Sequence, residues 1–538
     1  MNSRVVLFLL IVLVFITSRI FSQPSKLQKD VLDSTIQFTR ININNISTSF
    51  SNNGLSDYNF NGVKGFRYPK DFYSAGFWWS GLLIGGKVNG EIRVSGTSFK
   101  TSLVPTGDKK IYRVRRDYKT GNLSPEINDG EGTEIEIRKK YETDWHNWPA
   151  NEGAPYDDKN KNGIYEPEID IPGYPGVDQT IWFRAIDFDT TQSRSVFGSL
   201  PLGIEIQATY WAYNLSGPLG NTIFRKYKII NCSANHLNDL YFSITADPDI
   251  GDATDDYVGC DTSLSLAYSY NAFNYDAVYT NHPPVFGFLL IKGPIENNQD
   301  LKLTSFNFFI NTDSVLGYPQ IGSYENGALH FYNLFQGKTK DGNYYRIPHT
   351  IGGGETRYPL SGDPVKQQGW VDGIDFPPGN RSFGLSTGPI ELMPGESTEI
   401  VFSQIAAGGY EGMSKNGAID SIRSYSLTIK NFYKASLDST TSIDHKTNNL
   451  PSEFSLFQNY PNPFNPTTTI QFALPESGKF NLKVYNILGQ EVVTLIDGEM
   501  NSGIHKVNFD AGRLASGVYI YKLVGSNVNL SKKMILMK

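Results

Sequence analysis

The chain has 538 residues, a formal net charge of −6, an isoelectric point near 5.8 and 19% charged residues. That balance offers no basic field to nucleic acid, and its 51 glycines, 31 tyrosines and 33 phenylalanines favour strands and turns over helices. Two cysteines, Cys232 and Cys260, permit at most one disulfide, with two free buried thiols as the alternative.

The first segment, MNSRVVLFLLIVLVFITSRIFSQPS, has an early cation at Arg4, twelve apolar residues from Val5 to Ile16, and a polar stretch with Ser22 before Gln23. This is the layout of a secretory signal peptide over residues 1–22. Twelve residues fall short of the roughly 20 needed to span a bilayer, so an uncleaved anchor is the weaker reading. Neither cysteine is placed for lipid attachment at Gln23, and no other stretch approaches a transmembrane span.

Residues 23–437 exceed the roughly 50–250 of a typical single core, which leaves room for two lobes. The aromatic pairs Trp78–Trp79 and Trp145/Trp148 suit a sugar-stacking platform or, more commonly, a core. LLIGGKVNGEIRVSG predicts a hairpin turning at Asn89-Gly90, where a type I′ turn needs positive φ twice.

The next segment, DDKNKNGIYEPEID, places Asp158, Asn160 and Asn162 at alternate positions before Gly163, the first half of a calcium loop. The carbonyl of Ile164 would follow as the next ligand. The second half departs from the pattern. Ile169 stands where a bidentate acid belongs, Pro167 alters the path, and Asp170 or Glu168 must close the shell, with Glu166 also counted among the possible ligands. A solvated acidic turn is the alternative.

GIEIQATYWAY alternates as a strand, and TIFRKYKIINC and LNDLYFSITAD read as a pair of strands joined around Ser233–Asn238. Then ADPDIGDATDDYVGCD gathers Asp247, Asp249, Asp252, Asp255, Asp256 and Asp261 without a lysine or arginine. Carboxylates brought together repel unless something neutralises them. Calcium fits. A catalytic acid pair, as glycosidases hold about 5–9 Å apart, is the sharper alternative.

PVFGFLLIKGP and TSFNFFINT continue the strands. GLSTG, Gly384–Gly388, mimics a nucleophile elbow, but Pro389 follows where a helix belongs, so Ser386 is rejected as a nucleophile. The histidines lack paired metal spacing, and neither cysteine has a catalytic partner pattern. In AIDSIRSYSLTIKNFYKASL, Ile419, Ile422, Tyr425 and Ile429 fall at helical spacing and predict one helix. A polar linker over residues 438–452 follows. Pro461, Pro463 and Pro466 then stiffen the approach to about seven short strands in residues 453–538, which suggests an immunoglobulin-like sandwich.

NYPNPFNP, YNILGQEV, SGVYIYKL and the terminal KKMILMK carry a resemblance. The region 453–538 resembles the type A C-terminal sorting domain of type IX secretion substrates, and the related flagellar-hook-capping immunoglobulin-like module. The resemblance implies passage through the periplasm, partners in an outer-membrane translocon and a sorting protease, and a protein secreted or fixed at the cell surface. GAPYDDKNKNGIYEPEIDIPGYPGVDQTIWF, PPVFGFLLIKGP and GDPVKQQGWVDG resemble blocks of uncharacterised large secreted proteins ending in the same domain, which implies no activity.

The combined expectation is a mainly all-β exported protein. It is non-enzymatic, acts in binding, adhesion or envelope structure toward a glycan or other surface ligand, and is stiffened by structural calcium. A secreted carboxylate-dependent polysaccharide hydrolase is the alternative.

Overall fold

The computed structural model describes residues 35–59, 65–72, 76–296, 299–310, 313–322, 324–438, 454–459, 462–525 and 527–538. The signal-peptide segment and the linker beyond Asp438 lie outside these residues.

Antiparallel strands dominate. Strands β1 (Phe77–Val88) and β2 (Glu91–Gly96) form the expected hairpin. Its turn residues Asn89 and Gly90 have φ of 52° and 86°, as a type I′ turn requires. The chain then lays down β3 (Val104–Pro105), β4 (Ile111–Arg115), β5 (Gln179–Ile186), β6 (Ile204–Ala212), β7 (Thr222–Asn231) and β8 (Leu237–Pro248). It continues through β9 (Asp256–Asp261), β10 (Leu266–Asn271), β11 (Val285–Lys292), β12 (Leu303–Ile310), β13 (Arg381–Leu392) and β14 (Ser397–Ala407). A nine-stranded sheet runs β9-β10-β11-β14-β7-β6-β5-β3, with β4 also paired to β5, and a five-stranded sheet runs β12-β13-β8-β1-β2.

The two sheets share one apolar interior, which joins Ile206, Tyr227, Phe286 and Phe402 of the larger sheet to Leu82, Phe242, Phe306 and Phe383 of the smaller. The period-two rule explains the sorting of side chains. Along β7, Ile223, Tyr227 and Ile229 enter that interior while Phe224 faces the opposite side.

Four helices flank the sheets: α1 (Glu134–His146), α2 (Thr190–Phe197), α3 (His330–Phe335) and α4 (Lys415–Tyr433). Helix α4 is the one the spacing predicts. Its Ile419, Ile422 and Ile429 pack with Phe224, Tyr268 and Ile405 on the far side of the large sheet. Helix α1 follows a capping box, Thr133 with Glu136, but buries only Ile137 and Tyr141. Its weak apolar stripe hid it from a periodicity search.

One strand pairing is corrected. β7 and β8 are not partners, because β7 pairs with β6 and β14, whereas β8 pairs with β1 and β13 in the other sheet. Each apolar face gains more by closing the sandwich from its own side than by lying beside the other. Asn231 anchors the crossing, its side-chain nitrogen donating to the carbonyls of Asn235 at 2.8 Å and Leu392 at 2.9 Å. Cys232 is exposed, Cys260 is buried, and both are free thiols. Ser386 sits inside β13, its hydroxyl donating to that of Ser243 at 3.0 Å, with no helix behind it.

The C-terminal region folds around its own interior. Its strands are β15 (Ser455–Leu456), β16 (Thr467–Leu474), β17 (Gly478–Asn486), β18 (Glu491–Met500), β19 (Gly503–Asp510), β20 (Gly517–Gly525) and β21 (Val528–Leu536). They form a three-stranded sheet, β15-β16-β19, and a four-stranded sheet, β18-β17-β20-β21. Phe480, Leu482, Val484, Tyr519, Tyr521 and Leu523 fill the space between, as their alternation predicts. The proline-rich approach is tied to the sheet as well as stiff. The Asn459 amide donates to the Tyr521 hydroxyl at 2.7 Å, and the Ile535 amide donates to Asn462 Oδ1 at 2.8 Å.

Candidate functional site

Two acidic regions carry the chemistry singled out from the sequence. The first is a loop closed at its base by the pairs Tyr156–Pro172 and Asp157–Ile171. Gly163 takes φ of 76°, the left-handed conformation that a sharp turn needs. The Asp158 carboxylate accepts the amide hydrogens of Gly163 at 2.8 Å and Asn162 at 3.3 Å. The side-chain amides of Asn160 and Asn162 both lie 2.7 Å from Glu166 Oε2. Asp170, 1% exposed, braces the loop from beneath, accepting the amide hydrogens of Lys159 at 2.9 Å and Glu166 at 2.8 Å. Glu168 turns outward to His146 at 3.3 Å, and Ile164 and Ile169 are exposed. Neither Asp170 nor Glu168, the acids expected to close the shell, is gathered with Asp158, Asn160 and Asn162; Glu166 is.

The far limb of this loop, Pro167 to Ile171, walls a groove of about 360 Å³ opposite Arg116–Thr120, with Trp145 at its side. Trp145 is partly buried and packs against Tyr118 at 5.3 Å between ring centres. Trp79 and Trp148 are core residues, and Trp78 alone of the four is exposed, edge-on to Tyr58 at 6.0 Å. The indoles do not assemble into one stacking platform.

The structure divides the second region into three parts. Asp261 stands at the opposite end of β9 from Asp256, about 16 Å away along an extended strand. There it accepts from the Ser263 hydroxyl at 2.6 Å and faces Arg423 at 3.6 Å. Asp252 and Asp255 belong to a surface turn, where Asp252 accepts from the Thr254 hydroxyl at 2.7 Å and Asp255 from Asn271 at 3.2 Å. Asp247, Asp249 and Asp256 instead go inward. Asp247 accepts from the Ser382 hydroxyl at 2.6 Å. Asp256, fully buried, accepts the Ile250 amide hydrogen at 2.9 Å through one oxygen. Its other oxygen, and Asp249 Oδ1, find no hydrogen-bond partner among the described residues.

Sequence reasoning missed a fourth member. The fully buried Asp276 lies against Gly251 and accepts the amide hydrogens of Asp252 at 3.0 Å and Val278 at 2.8 Å. An isolated aspartate fifteen residues beyond the run gives no local signal of this.

Burial pushes the carboxyls of Asp247, Asp249 and Asp256 above their ordinary range, and the charge of Asp247 raises Asp249 further. No ion pair reaches Asp247, Asp249, Asp256 or Asp276 among the described residues. The nearby buried cation, Arg381, is committed to Asp372 at 3.0 Å. Nor do three His, Cys, Asp or Glu side chains converge as a metal site among the described residues. A cation in the first loop would therefore rest on asparagine and backbone oxygens beside Asp158 and Glu166.

Residues 458–537 match the family described as the secretion system C-terminal sorting domain. The chain carries the address of a type IX secretion substrate, which directs it to the cell surface or the extracellular space. No helix among the described residues is long and apolar enough to cross a membrane. No curated protein matches the chain. Among solved structures, a polysaccharide lyase is 10% identical, with 62% of this chain and 34% of that one covered and a TM-score of 0.19. The chain spans about a third of that protein's length, and a likeness at this level assigns neither fold nor activity.

Proposed function

We propose that the protein is an exported surface or secreted protein of non-enzymatic type, acting in binding, adhesion or envelope structure, whose large sandwich is held by structural calcium. The sorting-domain match carries the export part of this reading. Residues 453–538 engage the outer-membrane translocon and are then open to a sorting protease. Deleting them leaves the chain in the periplasm of its host. Arrival of the truncated chain in the medium at normal levels would sink the reading.

The first loop supports calcium. An amide carries its oxygen and nitrogen at nearly the same reach. Two asparagine ends gathered at one oxygen of Glu166 are also placed as two amide oxygens would be around a shared cation. Asp158 and the Ile164 carbonyl complete a set of hard oxygen donors. In Asp247, Asp249 and Asp256 a cation or a proton has to offset the buried charge. Titrating stability against calcium and against acid, each with the other held fixed, separates the two.

What supports a binding rather than a hydrolytic role is the burial of Asp256 and Asp276 beneath the surface, out of a substrate's reach. The hydrolase alternative draws on Asp247 and Asp249, whose raised carboxyls would hold a proton for a leaving group. A screen of the purified chain against glycans and envelope proteins, with hydrolysis read from the same wells, decides between them. Binding without product supports the proposal, and product that disappears in Asp249→Asn overturns it.

A further inference from the structure

The outer face of the four-stranded C-terminal sheet is laid out in rows. Strand register sets Val518 opposite Ile535. The next row is Tyr485, Ile520 and Lys533, and the one after it Lys483, Lys522 and Ser531. The period-two rule turns these side chains away from Val484, Tyr521 and Met534, which fill the interior. Beyond Tyr485 the β17–β18 turn carries Ile487 and Leu488, which are 73% and 77% exposed. The turn is fixed rather than loose. Asn486 Oδ1 accepts the amide hydrogens of Leu488 and Gln490, each at 3.0 Å, and Gly489 takes φ of 77°. Two aliphatic side chains are therefore held out into water next to a partly exposed apolar sheet end at Val518 and Ile520.

A basic band borders this apolar end. Lys483 is paired with Glu491 at 2.9 Å, whereas Lys522 and Lys533 form no ion pair among the described residues. Lys533 lies in the Ile520 row itself and Lys522 one row, about 7 Å, further on, so the band lies against the apolar rows on the same flat face. Apolar side chains beside lysines suit an anionic bilayer as well as a protein cleft, and the sorting-domain match favours the cleft. A folded address is read only through its surface, and every residue named here lies within the matched 458–537.

We propose that this face is the recognition surface of the sorting domain. The Ile487–Leu488 turn enters an apolar cleft on a protein of the secretion machinery, and Lys522 and Lys533 meet carboxylates on the rim of that cleft. This rests on the reading of residues 453–538 as the export address.

The test uses the full chain in its host, comparing I487D/L488D, K522E/K533E and K479E with the unaltered protein. Export of the first falls about tenfold, as expected for loss of a well-packed apolar anchor. The second falls several-fold, and the third, at the far end of the sheet, exports normally. The substituted side chains are exposed save the half-buried Lys522, so melting temperatures stay together; should I487D/L488D melt early, I487S/L488S repeats the measurement without added charge. Normal export of both the apolar and the lysine variants overturns the proposal. So does normal export joined to loss of binding to phosphatidylglycerol vesicles, which would make a lipid surface the occupant. Export of the chain lacking 453–538 would instead remove the address reading itself.

Discussion

Around Glu126 the large sandwich pairs its buried carboxylates with arginines, and around Asp256 it buries carboxylates that form no ion pair among the described residues, the nearby Arg381 being held by Asp372. Glu126 sits between Arg115 at 2.8 Å and Arg113 at 3.4 Å, and Arg113 also holds Glu131 at 2.6 Å. The Tyr141 hydroxyl donates to Glu126 at 2.9 Å and itself accepts from Gln179 at 2.9 Å. The fully buried pair Arg225–Asp57, at 3.1 Å, follows the same rule deeper in the core. Such groups have their charges countered within the protein, although Glu126 Oε2, Glu131 Oε1, Arg113 Nε and Arg225 Nε make no hydrogen bond among the described residues. Asp247 accepts from a hydroxyl and Asp256 from a backbone amide, Asp249 Oδ1 accepts from neither, and none of the three has a counter-charge among the described residues. Burying an unpaired carboxylate is costly enough that the group takes up a proton or an ion instead. The first region balances its own charge, and the second does not.

Breaking the balanced region has the largest effect. Glu126→Gln leaves two buried guanidinium groups short of charge and lowers unfolding stability by about 3–5 kcal/mol, read from the denaturant midpoint. An unchanged midpoint would mean that the network contributes little.

The same kind of substitution in the unbalanced region acts in the opposite direction. In chelator at neutral pH, Asp249→Asn removes a charge that burial and Asp247 both oppose, and raises stability by about 1 kcal/mol. A loss of stability there would show that a counter-charge has been overlooked.

The pH dependence sharpens the contrast. A carboxyl raised in the folded state binds a proton that the unfolded chain has released, so stability falls as pH rises through the interval between the two values. Burial raises Asp144 to about 6, and Asp247, Asp249 and Asp256 shift the same way. In chelator, stability contributed by these groups is therefore present near pH 4 and lost by about pH 6–7. Asp249→Asn flattens the slope of melting temperature against pH in that interval. An equal slope in both proteins would remove Asp249 from the account.

The smallest effect belongs to Asp261, which belongs to the same sequence run but lies apart in space. Asp261→Asn changes stability by less than about 0.5 kcal/mol, and a larger change would return it to the cluster.

What the sequence revealed follows from how local each signal is. The Asn89-Gly90 turn, the spacing of α4 and the alternation in β17 and β20 each lie within a few residues, and each reading holds. The crossing from β7 to β8 does not, because alternation identifies a strand but not the sheet that receives it. Helix α1 went unread, because its apolar stripe is weak and its one local signal is the capping box of Thr133 and Glu136. In the candidate site, the alternation of Asp158, Asn160 and Asn162 before Gly163 was legible as spacing, whereas the acid that joins them, Glu166, was not the one the spacing favoured. The separation of Asp261 and the arrival of Asp276 were not, since both depend on where a strand ends and which loop returns beside it. Asp57 and Arg225, 168 positions apart, gave no signal at all.

The central claim is that this exported sandwich relies on a divalent cation that it meets outside the cell. Melting the full chain in millimolar calcium and in chelator, beside Asp158→Ala, tests it directly. Sites on extracellular modules bind calcium at about 10⁻⁴–10⁻³ M, and free calcium at 100 times the dissociation constant would stabilise the fold by about 2.7 kcal/mol. Chelator is expected to lower the melting temperature of the unaltered chain by several degrees, and Asp158→Ala to abolish most of that difference. Superimposed curves for both proteins in both media would contradict the claim.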